Sequence, residues 1–176
     1  LDFSKLDSDT LTLRMERLNL LPLIERTVEL FGDYARQKRI ELSYTSVFQS
    51  LWMDADADKI EKIFSNLLSN AMKYTPEGGA VRVRLDRHRP ESDSGLQRDV
   101  RYVHIAVQDN GIGVKESELP YIFDRFKRFS TSSAGGNGIG LHYTKRLVEE
   151  HKGYISAELN ADRGMTLHVY LPILSD

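Results

Sequence analysis

A chain of 176 residues, of which 40% are hydrophobic and 28% charged, is long enough for one domain with a packed core and too apolar for a disordered segment. The formal net charge of -2 argues against nucleic-acid binding by bulk electrostatics, and the lack of cysteine excludes disulfides and thiolate metal sites. No apolar run approaches the ~18 residues that span a bilayer, so we expect no direct membrane contact by this domain.

Hydrophobic periodicity in the first half of the chain predicts two helices and three short strands. Asn19 can cap the first helix because its side-chain oxygen accepts a hydrogen bond from a free amide, and Pro22 is tolerated in the first turn. The second helix stops at Pro76 and the glycine pair after it. The predicted elements are the tail of an upstream helix over 1–9, a strand over 11–18, a helix that Asn19 caps, strands over 40–45 and 50–53, and a helix over about 54–74.

The second half of the chain mainly shows the alternating pattern of strands. The predicted elements are neighbouring antiparallel strands over 80–87 and 100–109, a short helical stretch around 119–123, a mobile Gly-rich loop over 127–138, a helix over about 139–151, and two closing strands over 154–159 and 165–172. Together the two halves predict a two-layer α/β sandwich, with about three helices on one face of a mixed, mainly antiparallel sheet.

The second predicted helix carries a polar strip beside its apolar stripe. Successive residues lie about 100° apart, so Lys62, Asn66, Asn70 and Lys73 fall within about 80° of one another at the border of the core. A cleft can form at such a border, and its amide oxygens suit Mg²⁺, which needs only one or two protein ligands beside phosphates. A solvated helix face with two incidental asparagines explains the strip equally well, so both interpretations stay open at this point.

Two glycine-containing turns are candidates for ligand contact. Asp109 ends a predicted strand, and Gly111 and Gly113 follow it with the freedom to let a ligand approach the backbone closely. A buried aspartate there can accept a hydrogen bond from an exocyclic amine, which favours adenine, although an ordinary Asn-Gly turn is the alternative. The second turn, GGNGIGL over 135–141, leads into a helix N-terminus, where free N–H groups bind phosphate. It does not fit the dinucleotide fingerprint, since no strand precedes it.

Taken in order, five segments resemble the catalytic and ATP-binding domain of bacterial sensor histidine kinases, in the GHKL superfamily. They are the N box NLLSNAMKYT, the first glycine box DNGIGV, the F box IFDRFKRF, the second glycine box GNGIGL and the closing segment RGMTLHVYLP. The resemblance covers about 54–172 and implies the Bergerat fold. Residues 1–10 are similar to the end of the dimerising phosphoacceptor hairpin, which leaves 11–176 as the ATP-binding domain. The N box and its flanks also resemble those of hybrid kinases, which continue into a receiver domain.

The resemblance also implies ATP and Mg²⁺ as ligands and a role for each matching residue. Asn70 would coordinate Mg²⁺, and Asn66 would order the phosphates or the waters of the metal. Lys73 would reach phosphate, and Tyr74 would pack on the adenine. The other implied ATP-binding residues are Asp109 at the adenine amine, Gly111 and Gly113 in the adenine pocket, Arg125 and Arg128 at the phosphates, Gly136, Gly138, Gly140 and Leu141 in the second glycine box, and Thr166 near Asp109.

Asn66 separates two chemistries within this superfamily. Relatives that hydrolyse ATP carry a glutamate general base there, whereas an amide cannot take a proton near neutral pH. We therefore expect phosphoryl transfer to a protein histidine. None of the five histidines lies in the acceptor motif of the family, so no catalytic residue is assigned within this chain. A nucleotide-binding pseudokinase or regulatory domain is the alternative, and a GHKL-type ATPase is less favoured.

The same resemblance implies the partners and the location. The expected partners are the upstream dimerisation and phosphoacceptor hairpin of the same protein and a response regulator or fused receiver domain. The expected location is the cytoplasm, with an inner-membrane sensor as a candidate parent protein. The isolated chain is expected to bind MgATP but to show little autophosphorylation.

Overall fold

The computed structural model describes residues 11–90, 97, 99–124 and 139–175. The elements in chain order are β1 (Glu16–Asn19), α1 (Leu20–Lys38), β2 (Glu41–Ser46), β3 (Trp52–Ala55), α2 (Ala57–Tyr74), β4 (Ala80–His88), β5 (Arg101–Asp109), a 3₁₀ helix (Glu116–Tyr121), α3 (Ile139–Glu150), β6 (Tyr154–Leu159) and β7 (Met165–Ile173). The predicted hairpin tail over 1–10 lies outside the described residues. Within the described ranges, no helix is both long enough and apolar enough to span a bilayer.

Five strands form the main sheet in the order β2-β4-β5-β7-β6. Only the β2–β4 pair is parallel, and the other three pairs are antiparallel, including the predicted β4–β5 neighbours. The crossover between β2 and β4 runs through β3 and α2, as a parallel connection requires. The described residues thus confirm the predicted mixed, mainly antiparallel α/β architecture.

A separate two-stranded sheet joins β1 to β3 in antiparallel register. The sequence pattern predicts a strand over 11–18, but the strand begins only at Glu16. Its pairing with a segment more than thirty residues later is not visible in local periodicity. The small sheet brings Arg14 beside the N-terminus of α2, where its amide donates to the Asp56 carboxylate at 2.8 Å.

Side-chain caps fix where the two long helices begin. Asn19 caps α1 as predicted, accepting from the Leu21 amide at 3.2 Å, and it also accepts from the Leu51 amide at 2.9 Å. Asp56 caps α2, accepting from the Lys59 amide at 3.2 Å. Each cap satisfies an amide that the first turn of a helix leaves without a partner.

The predicted apolar stripe of α2 is buried against the sheet and the neighbouring helices. The stripe residues are Ile60, Ile63, Phe64, Leu67, Leu68 and Ala71, none more than 2% exposed. The strands present their buried residues to the same core, because alternate side chains of a strand point to one face. Burying each large apolar side chain contributes about 1.5–3 kcal/mol. This packing holds the polar strip of α2 next to the ends of β5 and β7.

Candidate nucleotide-binding site

A small cavity lies where the second half of α2 meets the end of β5. Its lining residues are Asn70, Tyr74, Asp109, Gly113, Val114, Ile122, Leu141 and Met165. All eight lie in segments that the sequence analysis proposed, and five of them were singled out as site residues, namely Asn70, Tyr74, Asp109, Gly113 and Leu141. The free volume of about 20 Å³ holds roughly one water molecule. A purine therefore enters only if the lining side chains move outward.

Asp109 is the buried acceptor of this cavity, with only 5% of its surface exposed. Its Oδ1 accepts hydrogen bonds from the Gly111 amide at 2.9 Å and the Met165 amide at 3.3 Å. Burial raises the pKa of the Asp109 carboxyl above its ordinary value, although these two hydrogen bonds act in the opposite direction. Because both bonds end on Oδ1, Oδ2 is the atom positioned to accept from a ligand.

Glycine is required at two places around Asp109. A Cβ added at Gly111 would overlap the Tyr74 carbonyl oxygen, so the turn after β5 packs directly on the end of α2. The Ile112 amide donates to that same carbonyl at 3.1 Å. Gly113 has a φ of 64°, in the left-handed region that favours glycine. The predicted glycine turn is therefore a tightly packed junction between β5 and α2.

The Asn70 side chain faces this cavity with a buried polar atom that lacks a partner. Its Nδ2 makes no hydrogen bond, and a half-turn of the amide would place Oδ1 at the same position. The described residues contain no cluster of three or more acidic or histidine side chains that could enclose a metal ion. A single amide oxygen fits Mg²⁺ that takes most of its ligands from phosphate oxygens and water.

Asn66 lies one turn earlier on α2 and makes a different contact. Its Nδ2 donates to the Thr144 hydroxyl at 3.2 Å, and that hydroxyl donates to the Gly140 carbonyl at 2.6 Å. Asn66 thus ties α2 to the first turn of α3, where Leu141 lines the cavity. Gly140 is exposed, with nothing within 4 Å of an added Cβ.

Lys73 and Tyr74 end the polar strip of α2. The Lys73 ammonium lies 5.5 Å from the centre of the Tyr74 ring, within the range of a cation–π contact. Tyr74 contributes one wall of the cavity. Four further predicted residues, Arg125, Arg128, Gly136 and Gly138, lie outside the described residues.

Thr166 does not line the cavity with Asp109. Its hydroxyl donates to Asn160 Oδ1 at 2.6 Å, and strand alternation places its side chain on the face of β7 opposite to that of Met165. Met165 lines the cavity instead, and its amide holds the Asp109 carboxylate. Sequence reasoning took Thr166 from the resemblance and so missed Met165, although the alternation of β7 places Met165 on the core face with Leu167. It also missed Ile122 and Asn160.

Residues 55–175 match the family model described as "Histidine kinase-, DNA gyrase B-, and HSP90-like ATPase". Sensor histidine kinase WalK of Bacillus subtilis is 30% identical over 175 residues, which cover 98% of this chain but 27% of WalK. The structure of the mycobacterial sensor histidine kinase MprB has a TM-score of 0.72 at 26% identity, covering 92% of this chain and 99% of that one. Full-length ShkA in complex with AMPPNP has a TM-score of 0.77 at 24% identity, covering 99% of this chain and 34% of that one.

Proposed function

Because this chain belongs to the family of histidine kinase-, DNA gyrase B- and HSP90-like ATPases, we propose that it binds MgATP as the catalytic domain of a protein histidine kinase. One observation carries the proposal. The carboxylate of Asp109 and the unpartnered amide of Asn70 line the same cavity. A nucleotide can therefore be held at its base and near its phosphates at once.

Recognition of adenine is assigned to Asp109 Oδ2. The exocyclic amine of adenine donates a hydrogen bond, whereas guanine and hypoxanthine present a carbonyl oxygen to the same carboxylate. A site built around such a buried hydrogen bond rejects the wrong partner strongly, because a mismatched polar group stays unpaired. Tyr74, Ile122 and Met165 supply apolar surface for the ring.

The part of the site that would bind the phosphates is assigned to the polar strip of α2 and the start of α3. Asn70 would hold Mg²⁺ together with phosphate oxygens, and Lys73 would add a positive charge. When bound, Mg²⁺ offsets the negative charge on the phosphoryl oxygens. Arg125 and Arg128 would contact phosphates, and Gly136, Gly138 and Gly140 of the second glycine box would turn N–H groups toward the phosphates. AMPPNP bound to the structural relative ShkA supports a nucleotide in this fold.

Asn66 favours a kinase over an ATPase. Its amide is not a base near neutral pH, and it already donates to Thr144. The acceptor histidine is proposed to lie outside this chain, on the upstream hairpin. A response regulator or a fused receiver domain would take the phosphoryl group next. The proposal places the domain in the cytoplasm, where ATP is available. The chain spans about a quarter of the length of WalK, so these roles belong to a longer protein.

Calorimetry with MgATP tests the binding step and separates the kinase from a pseudokinase that has lost nucleotide binding. The wild type is expected to bind, and Asn70→Ala is expected to weaken binding at least about tenfold in the presence of Mg²⁺. Ser69→Ala is the matched control, because Ser69 is the exposed preceding residue of the same helix. Absence of binding by the wild type would overturn the proposal.

A phosphoryl-transfer assay tests the chemistry. The chain alone is expected to show neither autophosphorylation nor rapid ATP turnover. Addition of a matching hairpin that carries the acceptor histidine is expected to give a phosphohistidine on the hairpin. Rapid hydrolysis by the isolated chain would favour the ATPase alternative.

A further inference from the structure

The turn between β6 and β7, residues 160–164, packs against the end of β5. The Asn160 amide donates to the Gly164 carbonyl at 3.0 Å and closes the turn. Gly164 has a φ of 87°, and a Cβ added there would overlap the Asp109 carbonyl oxygen. No larger residue fits between this turn and the backbone of Asp109. The contact is therefore direct and leaves little freedom to slide.

Two side chains of the turn hold the backbone around Asp109. Asn160 Nδ2 donates to the Asp109 carbonyl at 2.8 Å. Arg163 Nε donates to the Gly111 carbonyl at 3.0 Å. The next residue of the chain, Met165, donates its amide to Asp109 Oδ1. The carbonyls of Asp109 and Gly111 and the Asp109 carboxylate itself are thus all bound by one short segment.

The Asn160 amide group is itself fixed at both ends. Its oxygen accepts from the Thr166 hydroxyl at 2.6 Å, and its nitrogen donates to Asp109 and, at 3.3 Å, to the Arg163 carbonyl. Thr166 is only 3% exposed, so its hydroxyl depends on this partner. Because the carbonyls of Asp109 and Arg163 can only accept, they select the amide orientation in which the nitrogen faces them. The Thr166 hydroxyl then donates to the remaining amide oxygen.

From this network we propose that Asn160 is a positioning residue for base selection, which acts through Asp109 without contacting the nucleotide. The inference rests on the proposed function, since it concerns how the acceptor of the adenine amine is aimed. Asn160 fixes the carbonyl of Asp109, and Thr166 fixes Asn160. Loss of this support lets the carboxylate turn, so that Oδ2 no longer points at the 6-amino group of adenine. The role that the sequence analysis gave to Thr166 near Asp109 is thereby exerted through Asn160.

The test compares ATP with inosine triphosphate, which carries an oxygen in place of the 6-amino group. Calorimetry of the wild type, Asn160→Asp and Asn160→Ala gives the affinity for each nucleotide with Mg²⁺. Asn160→Asp keeps the shape and the acceptor for Thr166 but turns a carboxylate oxygen toward the Asp109 carbonyl. Selectivity for ATP is expected to fall by about tenfold or more in both variants. Asp162→Asn, an exposed change in the same turn, is the control and should keep wild-type selectivity.

The thermal unfolding midpoint shows whether each variant is folded. A purely structural role would weaken the binding of both nucleotides equally, so a change in the ratio of the two affinities indicates positioning. Unchanged selectivity in a folded Asn160→Asp protein overturns the inference. If neither Asn160 variant folds, Thr166→Val is measured instead. A smaller loss of selectivity is expected for this variant. An unchanged ratio of the affinities for ATP and inosine triphosphate would contradict the proposal. If the wild type binds no nucleotide, the proposed function fails separately. NMR shifts of the Gly111 and Met165 amide protons then report whether Asn160→Asp releases the Asp109 carboxylate, and unchanged shifts overturn the inference.

Discussion

Polar groups have different surroundings on the two faces of the five-stranded sheet. The face toward the helices is apolar along its length and ends in Asp109. The other face carries charged and aromatic side chains, including a cluster that we call the ring cluster, made of His88, His104, His168 and Tyr170. Asp109 on the first face and His104 on the second are both titratable groups whose neutral form is favoured by burial.

The ring cluster satisfies its polar atoms with side chains of adjacent strands. His104 lies 4.6 Å from the centre of the Tyr170 ring and shares a 2.7 Å hydrogen bond with His168, which contacts Glu158 at 2.6 Å. The pKa of His104 is lowered to about 4, chiefly by burial and next by the neighbouring His168. His88 and Arg84 contribute to the same lowering, whereas Asp86 opposes it. The hydrogen bonds of the cluster run between side chains of the adjacent strands β5, β7 and β6.

Asp109 is held differently, because its two hydrogen bonds come from backbone amides and both end on one oxygen. Backbone amides fix the carboxylate without neutralising it, and its second oxygen stays oriented toward the cavity. The comparison indicates that the hydrogen bonds among side chains of the ring cluster stabilise the fold. A carboxylate that backbone amides hold at one oxygen only is suited to bind a ligand with the other. Asn160 links the two faces, since Thr166 holds it from the open face.

The largest effect is expected for Asp109→Asn. ATP affinity should fall about a hundredfold or more, because the replacement amide presents a donor where the adenine amine needs an acceptor. The unfolding midpoint at pH 7.5 should not fall. Asp109 has a raised pKa in the folded state, so its ionised form weakens folding above that pKa, and an uncharged amide removes this cost.

Calorimetry and thermal unfolding of the same Asp109→Asn preparation check both expectations. Asp58→Asn, near the start of α2, is a control with the same chemical change. Tight ATP binding by Asp109→Asn would contradict the assignment of the base acceptor. A large fall in its unfolding midpoint would show that the carboxylate is structural.

A smaller but clear effect is expected for Gly111→Ala. The new methyl group overlaps the Tyr74 carbonyl oxygen, and backbone must move to admit it. Overpacking of this kind costs about 1–3 kcal/mol of unfolding free energy. Gly32→Ala in the middle of α1 is the matched control, because its nearest contact is the Arg36 side chain at 3.8 Å and alanine favours the helix by about 1 kcal/mol. Chemical denaturation measures both, and equal stabilities would contradict the close packing.

A pH-dependent effect is expected for His104→Phe. The folded-state pKa of about 4 lies below the ordinary 6.5, so the stability contribution of neutral His104 is full above pH 6.5 and is lost as the pH falls toward 4. After allowance for solvent screening, the loss amounts to about 1 kcal/mol. Phenylalanine removes this titration, so denaturation midpoints between pH 7 and pH 4 should vary less than in the wild type. Nucleotide affinity at pH 7.5 should be unchanged, and an identical pH slope would contradict the prediction.

The smallest effect is expected for Asn66→Ala. The variant loses the hydrogen bond to Thr144, which costs about 0.5–1.5 kcal/mol, while Thr144 keeps its bond to Gly140. Denaturant unfolding measures this loss. ATP hydrolysis should remain slow, because no base has been added. A fall of ATP hydrolysis below the wild-type rate would contradict the assignment of Asn66 as a residue unable to activate water.

Sequence reasoning predicted the elements whose causes are local. The Asn19 cap, the helix stop at Pro76 and the buried stripe of α2 all follow from residues within one or two turns. The β4–β5 pairing follows from adjacency in the chain. The small β1–β3 sheet and the parallel β2–β4 pair depend on distant partners, which no periodicity reveals.

The candidate site divides in the same way. Asn70 and Asp109 were found because a polar strip and a glycine turn are visible in the sequence, and the structure brings both to one cavity. Asn160 stands in a polar turn that looks ordinary, and its contact with Asp109 spans 51 positions. Met165 was missed because Thr166 was taken from the resemblance and not from the alternation of β7, which places Met165 on the core face.

The dependence of Asp109 on the last hairpin has a consequence for synthesis of the domain. The ribosome releases Asp109 before Asn160 and Met165, which later hold it, and at roughly 5–20 residues per second the interval is a few to about ten seconds. The central strand β5 also gains its second neighbour only when β7 emerges. A nascent chain therefore has no oriented base acceptor until nearly the whole domain is made.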